Sequence, residues 1–438
     1  MKVLFFCGDS KNNGWKNLCR FFEKKGVEAV LLVCGVEAEN FYKKTDVTVI
    51  NFYNLHREKY TNTKTLLKYC LVDRRLDGLS QSTKLKVIDD AYGTIERFLN
   101  RNKFTTIFCE FSNYISIGLL EIGKLLNCNV YTYTESQWED RFYLGKNSLF
   151  GIQEALKNKN IIPSAEAKVK SAEWLGAMRN KYRMRSYIKE IKTKKKISSL
   201  FVFLVGRLRI LLIFLLAWNP KYLREFVYLS YRKMPYRNLM VINHKLNLSI
   251  KKKDYYLFFL HCSPELSVDI WSYDSRNQDQ IIIKLSKVLA GKKLIVKEHP
   301  YSFGRSYNFI NNLKKKGIQV ITSVSLTENL DLIRNSCGVI TLTGSVALEA
   351  VALGVNAYNL GNSLFSEVHG VRKLDINQVN LKSEEINIKS EEINNEMLIR
   401  DIALLYDSSM PGNTLKLFEG CIQSANQFGE SLHKIFSK

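Results

Sequence analysis

Short apolar runs alternate with stretches whose apolar residues recur every three or four positions over the first 145 residues. The runs at 3–7, 29–33, 47–52, 105–109 and 130–133 have the length and β-branched content of buried strands. Between them, 15–25, 85–99 and 115–126 carry helical periodicity. After residue 254 the rhythm returns. Strands are predicted at 256–261, 294–297, 319–321, 339–341 and 357–360, and helices at 279–289, 306–316, 327–335 and 345–353. Apolar strands separated by helices imply parallel sheets covered on both faces. The pattern predicts an α/β chain with two Rossmann-like βα domains, at 1–150 and 251–380, facing a cleft.

The interval 151–250 breaks that rhythm and carries 21 Lys/Arg against 5 Asp/Glu, most of the chain's net charge of +23. Five lysines lie within 189–196, and 200–218 is apolar at 16 of 19 positions. Arg207 and Arg209 interrupt the apolar run near its middle, and each costs about 2.5–3.5 kcal/mol at a bilayer centre. A single span would also put the two βα domains on opposite sides of the membrane. A helical insert lying on an anionic membrane surface satisfies the pattern better, with Lys194, Lys195 and Lys196 at one end and Trp218 at the other. A helix buried between domains, with a solvated basic rim, is the plainer alternative. The segment lacks a nucleic-acid recognition module, so no nucleic-acid partner is expected. From 381 to 438, helix-like stretches at 397–406 and 415–436 are expected to pack back on the body.

Nine cysteines, with no C-x-x-C pair and several inside strand-like runs, read as reduced thiols in a cytoplasmic protein. The first residues enter a strand directly and lack a signal-peptide pattern.

Candidate chemistry gathers at strand ends, where open α/β sheets bind ligands. One strand ends in Lys297-Glu298-His299-Pro300, where the proline stops the strand and turns His299 outward. A cation and an imidazole there suit a phosphate, or stand solvated at a capped strand. Another strand runs into Thr343-Gly344-Ser345 and a helix containing Glu349. Gly344 allows a tight turn, Ser345 is placed to cap the helix, and Glu349 follows one turn deeper, where it suits a ribose diol. An ordinary helix cap would give the same sequence. His261 and Glu265 flank the end of a third strand. In the first domain Glu110 follows one strand, and Glu135 through Arg141 follow another. Carboxylates at strand ends serve acid/base chemistry and the stabilisation of oxocarbenium-like centres. No P-loop, G-x-G-x-x-G, H-E-x-x-H or G-x-S-x-G motif occurs, and no essential metal or other cofactor is expected.

The order Leu260-His261-Cys262-Ser263-Pro264-Glu265-Leu266-Ser267, Lys297-Glu298-His299-Pro300 and Thr343-Gly344-Ser345-Val346-Ala347-Leu348-Glu349-Ala350 resembles the bacterial capsule polysaccharide biosynthesis proteins. These are two-domain GT-B glycosyltransferases that include retaining Kdo transferases using CMP-Kdo. The resemblance spans about residues 254–372. In the first domain only Glu110 and the neighbourhood of Trp138 to Arg141 look familiar. It implies that His299, Pro300, Gly344 and Ser345 hold the donor phosphate, with Lys297 as an auxiliary contact and Glu349 at the ribose. Glu110 would be the acid/base and Glu265 the nucleophile or stabiliser, where the family's Kdo enzymes prefer Asp. His261 and Arg141 are additional cleft positions. The implied substrates are a CMP-sugar and a glycan or lipid-linked saccharide, handled at the inner face of the cytoplasmic membrane. A nucleotide-sugar epimerase or hydrolase on the same scaffold, and a non-catalytic membrane-surface assembly protein, are the alternatives.

Overall fold

A computed structural model of the chain describes residues 1–149 except 112, residue 156, 161–180, 252–375 except 262–265, 290, 300–311, 314 and 322–325, and 392–437. Glu265, Pro300, Lys194, Lys195, Lys196, Arg207, Arg209 and Trp218 lie outside these residues. Two compact units account for the described chain. One combines 1–149 with 409–437, and the other combines 161–180 with 252–408. Each holds a parallel-rich sheet with helices, the predicted class of two Rossmann-like domains. Among the described residues no helix is long and apolar enough to cross a membrane.

In the first unit the strands are β1 (Lys2–Gly8), β2 (Glu28–Val33), β3 (Thr48–Asn51), β4 (Thr106–Cys109), β5 (Asn129–Glu135) and β6 (Arg141–Lys146). Its longer helices are α1 (Asn13–Lys24), α2 (Val36–Tyr42), α3 (Gln81–Asn102) and α4 (Tyr114–Leu125); single turns such as Leu67–Cys70 are left unlabelled. Helix starts follow local chemistry. The Asn12 side chain accepts from the amides of Gly14 and Trp15, Ser80 caps α3 through the Thr83 amide, and Asn113 with Ser116 forms a reciprocal capping box on α4.

The second unit contains α5 (Ala165–Asn180), β7 (Tyr255–Phe259), α6 (Gln278–Val288), β8 (Lys293–Lys297), β9 (Gln319–Ile321) and α7 (Leu326–Arg334). It continues with β10 (Gly338–Thr341), α8 (Val346–Ala352), β11 (Ala357–Asn359), β12 (Val371–Lys373) and α9 (Asn395–Asp407). The chain then re-enters the first unit as β13 (Ser409–Pro411), α10 (Thr414–Phe418) and α11 (Ile422–Phe436).

The strand orders place the sites. The second sheet runs β12-β11-β10-β7-β8-β9, all parallel, which is the dinucleotide-fold order 3-2-1-4-5-6 read from the far edge. The first runs β13-β6-β5-β4-β1-β2-β3, the same arrangement through β5 with β6 and β13 added antiparallel. Connections leave toward opposite faces at β7/β10 and at β1/β4, so a crevice opens at the carboxyl ends of those pairs. The apolar pattern predicts no strand at β6, because its six residues Arg141–Lys146 are too short and too interrupted by Gly145 to stand out.

Late residues complete the first core. Phe428 of α11 is fully buried and stacks on Phe142 at 4.0 Å, while Phe436 stacks on Phe22 at 5.6 Å. The single helix expected over 415–436 is two, because Gly420 at φ 93° ends α10 in a conformation that only glycine adopts easily. In the second unit Asp407, just where α9 ends, accepts from the amide and hydroxyl of Ser164 at 2.7 Å each and anchors the entry to α5. The eight described cysteines are free thiols. Replacing Phe428 with alanine removes a fully enclosed ring and is expected to cost about 3–5 kcal/mol, read from the shift of the denaturant midpoint.

Candidate functional site

In the second unit three adjacent strands, β10, β7 and β8, bring their carboxyl ends together. His261, two residues beyond β7, is the link between them. Its amide donates to Gln278 Oε1 at 2.9 Å, fixing the loop against the start of α6. Its ring Nε2 lies 3.0 Å from Thr341 Oγ1 and accepts from the Thr343 amide at 3.3 Å. An amide can only donate, so Nε2 is the acceptor in that contact. The Gly344 amide in turn donates to Thr341 Oγ1 at 3.3 Å. A side-chain–backbone chain thus holds the turn after β10 to the end of β7.

Gly344 is needed for space. A Cβ there would stand 2.8 Å from Thr341 Oγ1 and 3.3 Å from His261 Nε2. Ser345 departs from expectation: it is already helical at φ −60° and makes no side-chain cap bond. The preceding turn of Thr341, Thr343 and Gly344 is instead pinned by the histidine, so a capping hydroxyl is not required there. Glu349 falls in the first turn of α8 and is half-buried.

Lys297 closes β8 and faces the same group. Its ammonium lies 5.6 Å above the Phe259 ring and donates to the Glu298 carbonyl at 3.4 Å. Burial brings its pKa down to about 8, against the opposing pull of Glu349 and then Glu298. Glu298 is buried and its amide continues the ladder to the Ile321 carbonyl at 2.9 Å. His299 follows, half-buried. The structure therefore gathers His261, Lys297, His299, Gly344, Ser345 and Glu349 at one sheet edge. It also supplies Thr341 and Gln278, which no sequence pattern marked. The Thr343 hydroxyl and the Asn359 amide group are buried without a hydrogen-bond partner among the described residues.

In the first unit Asp9, Glu110 and Glu135 stand at the carboxyl ends of β1, β4 and β5, three neighbouring strands. Glu110 reaches solvent, yet the protein around it strips part of its hydration and raises its pKa above the usual carboxylate range. The charge of Glu135 raises it further, whereas a hydrogen bond from the Tyr133 hydroxyl pulls it down. Asp9 is held by Arg75 at 3.0 Å. Arg141 opens β6, which runs antiparallel to β5 and pairs Phe142 with Glu135, so it starts at this same sheet edge; its guanidinium donates to Ser409 Oγ at 2.7 Å and to the Ser409 carbonyl at 2.6 Å, tying β13 to β6.

Residues 219–394, about two fifths of the chain, match the family model for capsule polysaccharide biosynthesis proteins. The match contains β7 through β12 and every strand-end residue just described for the second unit; Glu110 and Arg141 precede it. No curated protein matches the chain in sequence. Among solved structures it is similar to the KpsC β-Kdo 2,7 transferase of Thermosulfurimonas dismutans, at 10% identity and TM-score 0.40 over 86% of this chain and 99% of that one. The β-Kdo 2,4 transferase of the same protein aligns at 10% identity and TM-score 0.38 over 73% and 87%. UDP-GlcNAc 2-epimerase from Methanocaldococcus jannaschii, solved with UDP-GlcNAc and UDP, aligns at 14% identity and TM-score 0.32 over 100% and 99%.

Lys297 gives the site a measurable pH signature. In the unfolded chain a lysine keeps its proton to about pH 10.4, whereas the folded group releases its proton near pH 8. Across that window the unfolded state binds more protons, so stability rises with pH. Lys297→Met is expected to abolish this rise and to stabilise the fold at pH 7 by about 1–3 kcal/mol, measured as the difference in unfolding free energy between pH 7 and pH 10.

Proposed function

We propose that the chain is a nucleotide-sugar-dependent GT-B glycosyltransferase of capsule or surface polysaccharide biosynthesis. The observation that carries the reading is the convergence of Lys297, His299 and Glu349 at the β7/β10 switch point, within the segment that matches the capsule family. A half-buried lysine whose charge is destabilised gains most from an anionic ligand, because a phosphate restores the favourable interactions that desolvation removed. His299, Ser345 and Lys297 hold the donor phosphate in this proposal, with Pro300 and Gly344 shaping the loops, and Glu349 takes the ribose. The donor is a CMP-activated sugar, Kdo or a related ulosonic acid, transferred with retention to a glycan or lipid-linked acceptor.

Glu110 is the proposed acid/base. Its raised pKa, set by desolvation and by Glu135, favours taking up the proton of the acceptor hydroxyl. Glu265 is assigned to the anomeric carbon as nucleophile or stabiliser. Neither role calls on a metal. The basic, apolar residues within 151–250, including Lys194, Lys195, Lys196, Arg207, Arg209 and Trp218, support peripheral binding to the cytoplasmic membrane, where a lipid-linked acceptor would be met.

Purified protein is expected to gain thermal stability selectively with CMP over UDP, GDP and ADP, since a ligand bound only to the folded state raises its midpoint. His299→Ala and Glu349→Ala should lose that response. Glu110→Gln should keep it while losing turnover about a hundredfold or more. A response to UDP or GDP in place of CMP would retain the transferase and discard the ulosonic-acid donor, and product formed with donor alone would replace transfer by epimerisation or hydrolysis.

Flotation on liposomes is expected to require anionic lipid and to fall when Lys194, Lys195 and Lys196 are neutralised; charge-independent binding would remove the membrane assignment.

A further inference from the structure

The second unit carries a cavity of about 900 Å³ at the opposite, amino-terminal edge of its sheet. Its wall is formed where β7, β8, β10 and β11 begin, and Arg179, Lys253, Lys292 and Arg334 line it with Glu392 as the acidic lining residue. Arg179 and Arg334 occupy the last turns of α5 and α7, where a cation complements the partial negative charge of a helix end. That local role accounts for the two arginines. It does not account for the two lysines.

Lys253 donates to the Ser336 carbonyl at 2.8 Å and has no carboxylate within ion-pair distance among the described residues. Lys292 donates to the Lys253 carbonyl at 3.2 Å and approaches Asp254 only at 3.8 Å, a carboxylate it shares with Lys293. Each ammonium has three donors, and the bonds above use only part of that capacity. Arg334 also spends a donor on a neutral group, the Arg179 carbonyl at 2.7 Å, and meets Asp331 at 3.5 Å on an exposed face. Counting Asp254, Asp331 and Glu392 against Arg179, Lys253, Lys292, Lys293 and Arg334, cations still outnumber carboxylates. Lys253 is moreover held at φ 57°, a left-handed backbone that glycine or asparagine adopts more cheaply than lysine. Like charges clustered around one cavity repel each other, and a strained backbone adds to the cost. Such local conflicts are characteristic of binding sites.

We propose that this cavity is a second anion site, distinct from the strand-end site above, and that it binds a phosphate-bearing group. Open lysine donors around a cavity of this size suit a pyrophosphate or a phospholipid headgroup.

Cys337 provides a local reporter, because its half-exposed thiol lines this cavity while the half-exposed thiol of Cys421 belongs to the other unit. The full chain would be alkylated with iodoacetamide, and the rate at each cysteine read by peptide mass spectrometry. Saturating inorganic pyrophosphate is expected to slow alkylation of Cys337 about tenfold and leave Cys421 unchanged. The double variant Lys253→Asn, Lys292→Gln should lose this protection; asparagine suits the left-handed position, so the variant is expected to fold at least as well, checked by its thermal midpoint. Protection by phosphatidylcholine vesicles containing phosphatidylglycerol, but not by phosphatidylcholine alone, identifies a lipid headgroup, and protection by pyrophosphate alone identifies a soluble ligand. If neither probe protects Cys337, if both thiols are slowed alike, or if the double variant is protected as well as the parent, the proposal is overturned.

Discussion

Between β7 and β10 the chain departs to opposite faces of the sheet, and no crossover element can fill the space left at their carboxyl ends. That gap must be stabilised from within, and His261 does so. By accepting the Thr343 amide and meeting the Thr341 hydroxyl, its ring ties two strand ends that backbone pairing no longer joins. Gly344 follows from this arrangement, since any side chain there would strike the same two groups. The positions of Ser345 and Glu349 are then fixed by where α8 can begin. Lys297, on the next strand over, is half-buried against this framework with two carboxylates near it, so its charge depends on what the site contains.

The first unit solves the same geometric problem with acidic groups. Asp9, Glu110 and Glu135 share one edge, and their mutual repulsion is moderated by Arg75 at one end and Tyr133 at the other. One unit thus places cations and imidazoles at its switch point, and the other places carboxylates.

Much of this was legible from the sequence because buried parallel strands announce themselves as apolar runs. The runs ending in Lys297, Thr341 and Cys109 located Lys297, His299, Gly344, Ser345, Glu349 and Glu110 at strand ends, as the structure has them. Three things were hidden for physical reasons. The bond from Thr343 to His261 joins residues 82 positions apart, and no local pattern encodes it. Ser345 looks like a cap by residue type, yet the turn before it is already held. The bond from Arg141 to Ser409 reaches 268 residues along the chain, which no local pattern announces either.

That same pairing governs how the chain can fold as it is synthesised. The sheet edge at β6, and the aromatic core around Phe142 and Phe108, remain open until Ser409 and the helix carrying Phe428 have been made. By then every described strand of the second unit has left the ribosome. A nascent chain must therefore carry an unsealed amino-terminal sheet, with an unpaired strand and exposed rings, past the completion of its neighbour. Such an intermediate is prone to association. On this account the first domain to be translated is the last to close.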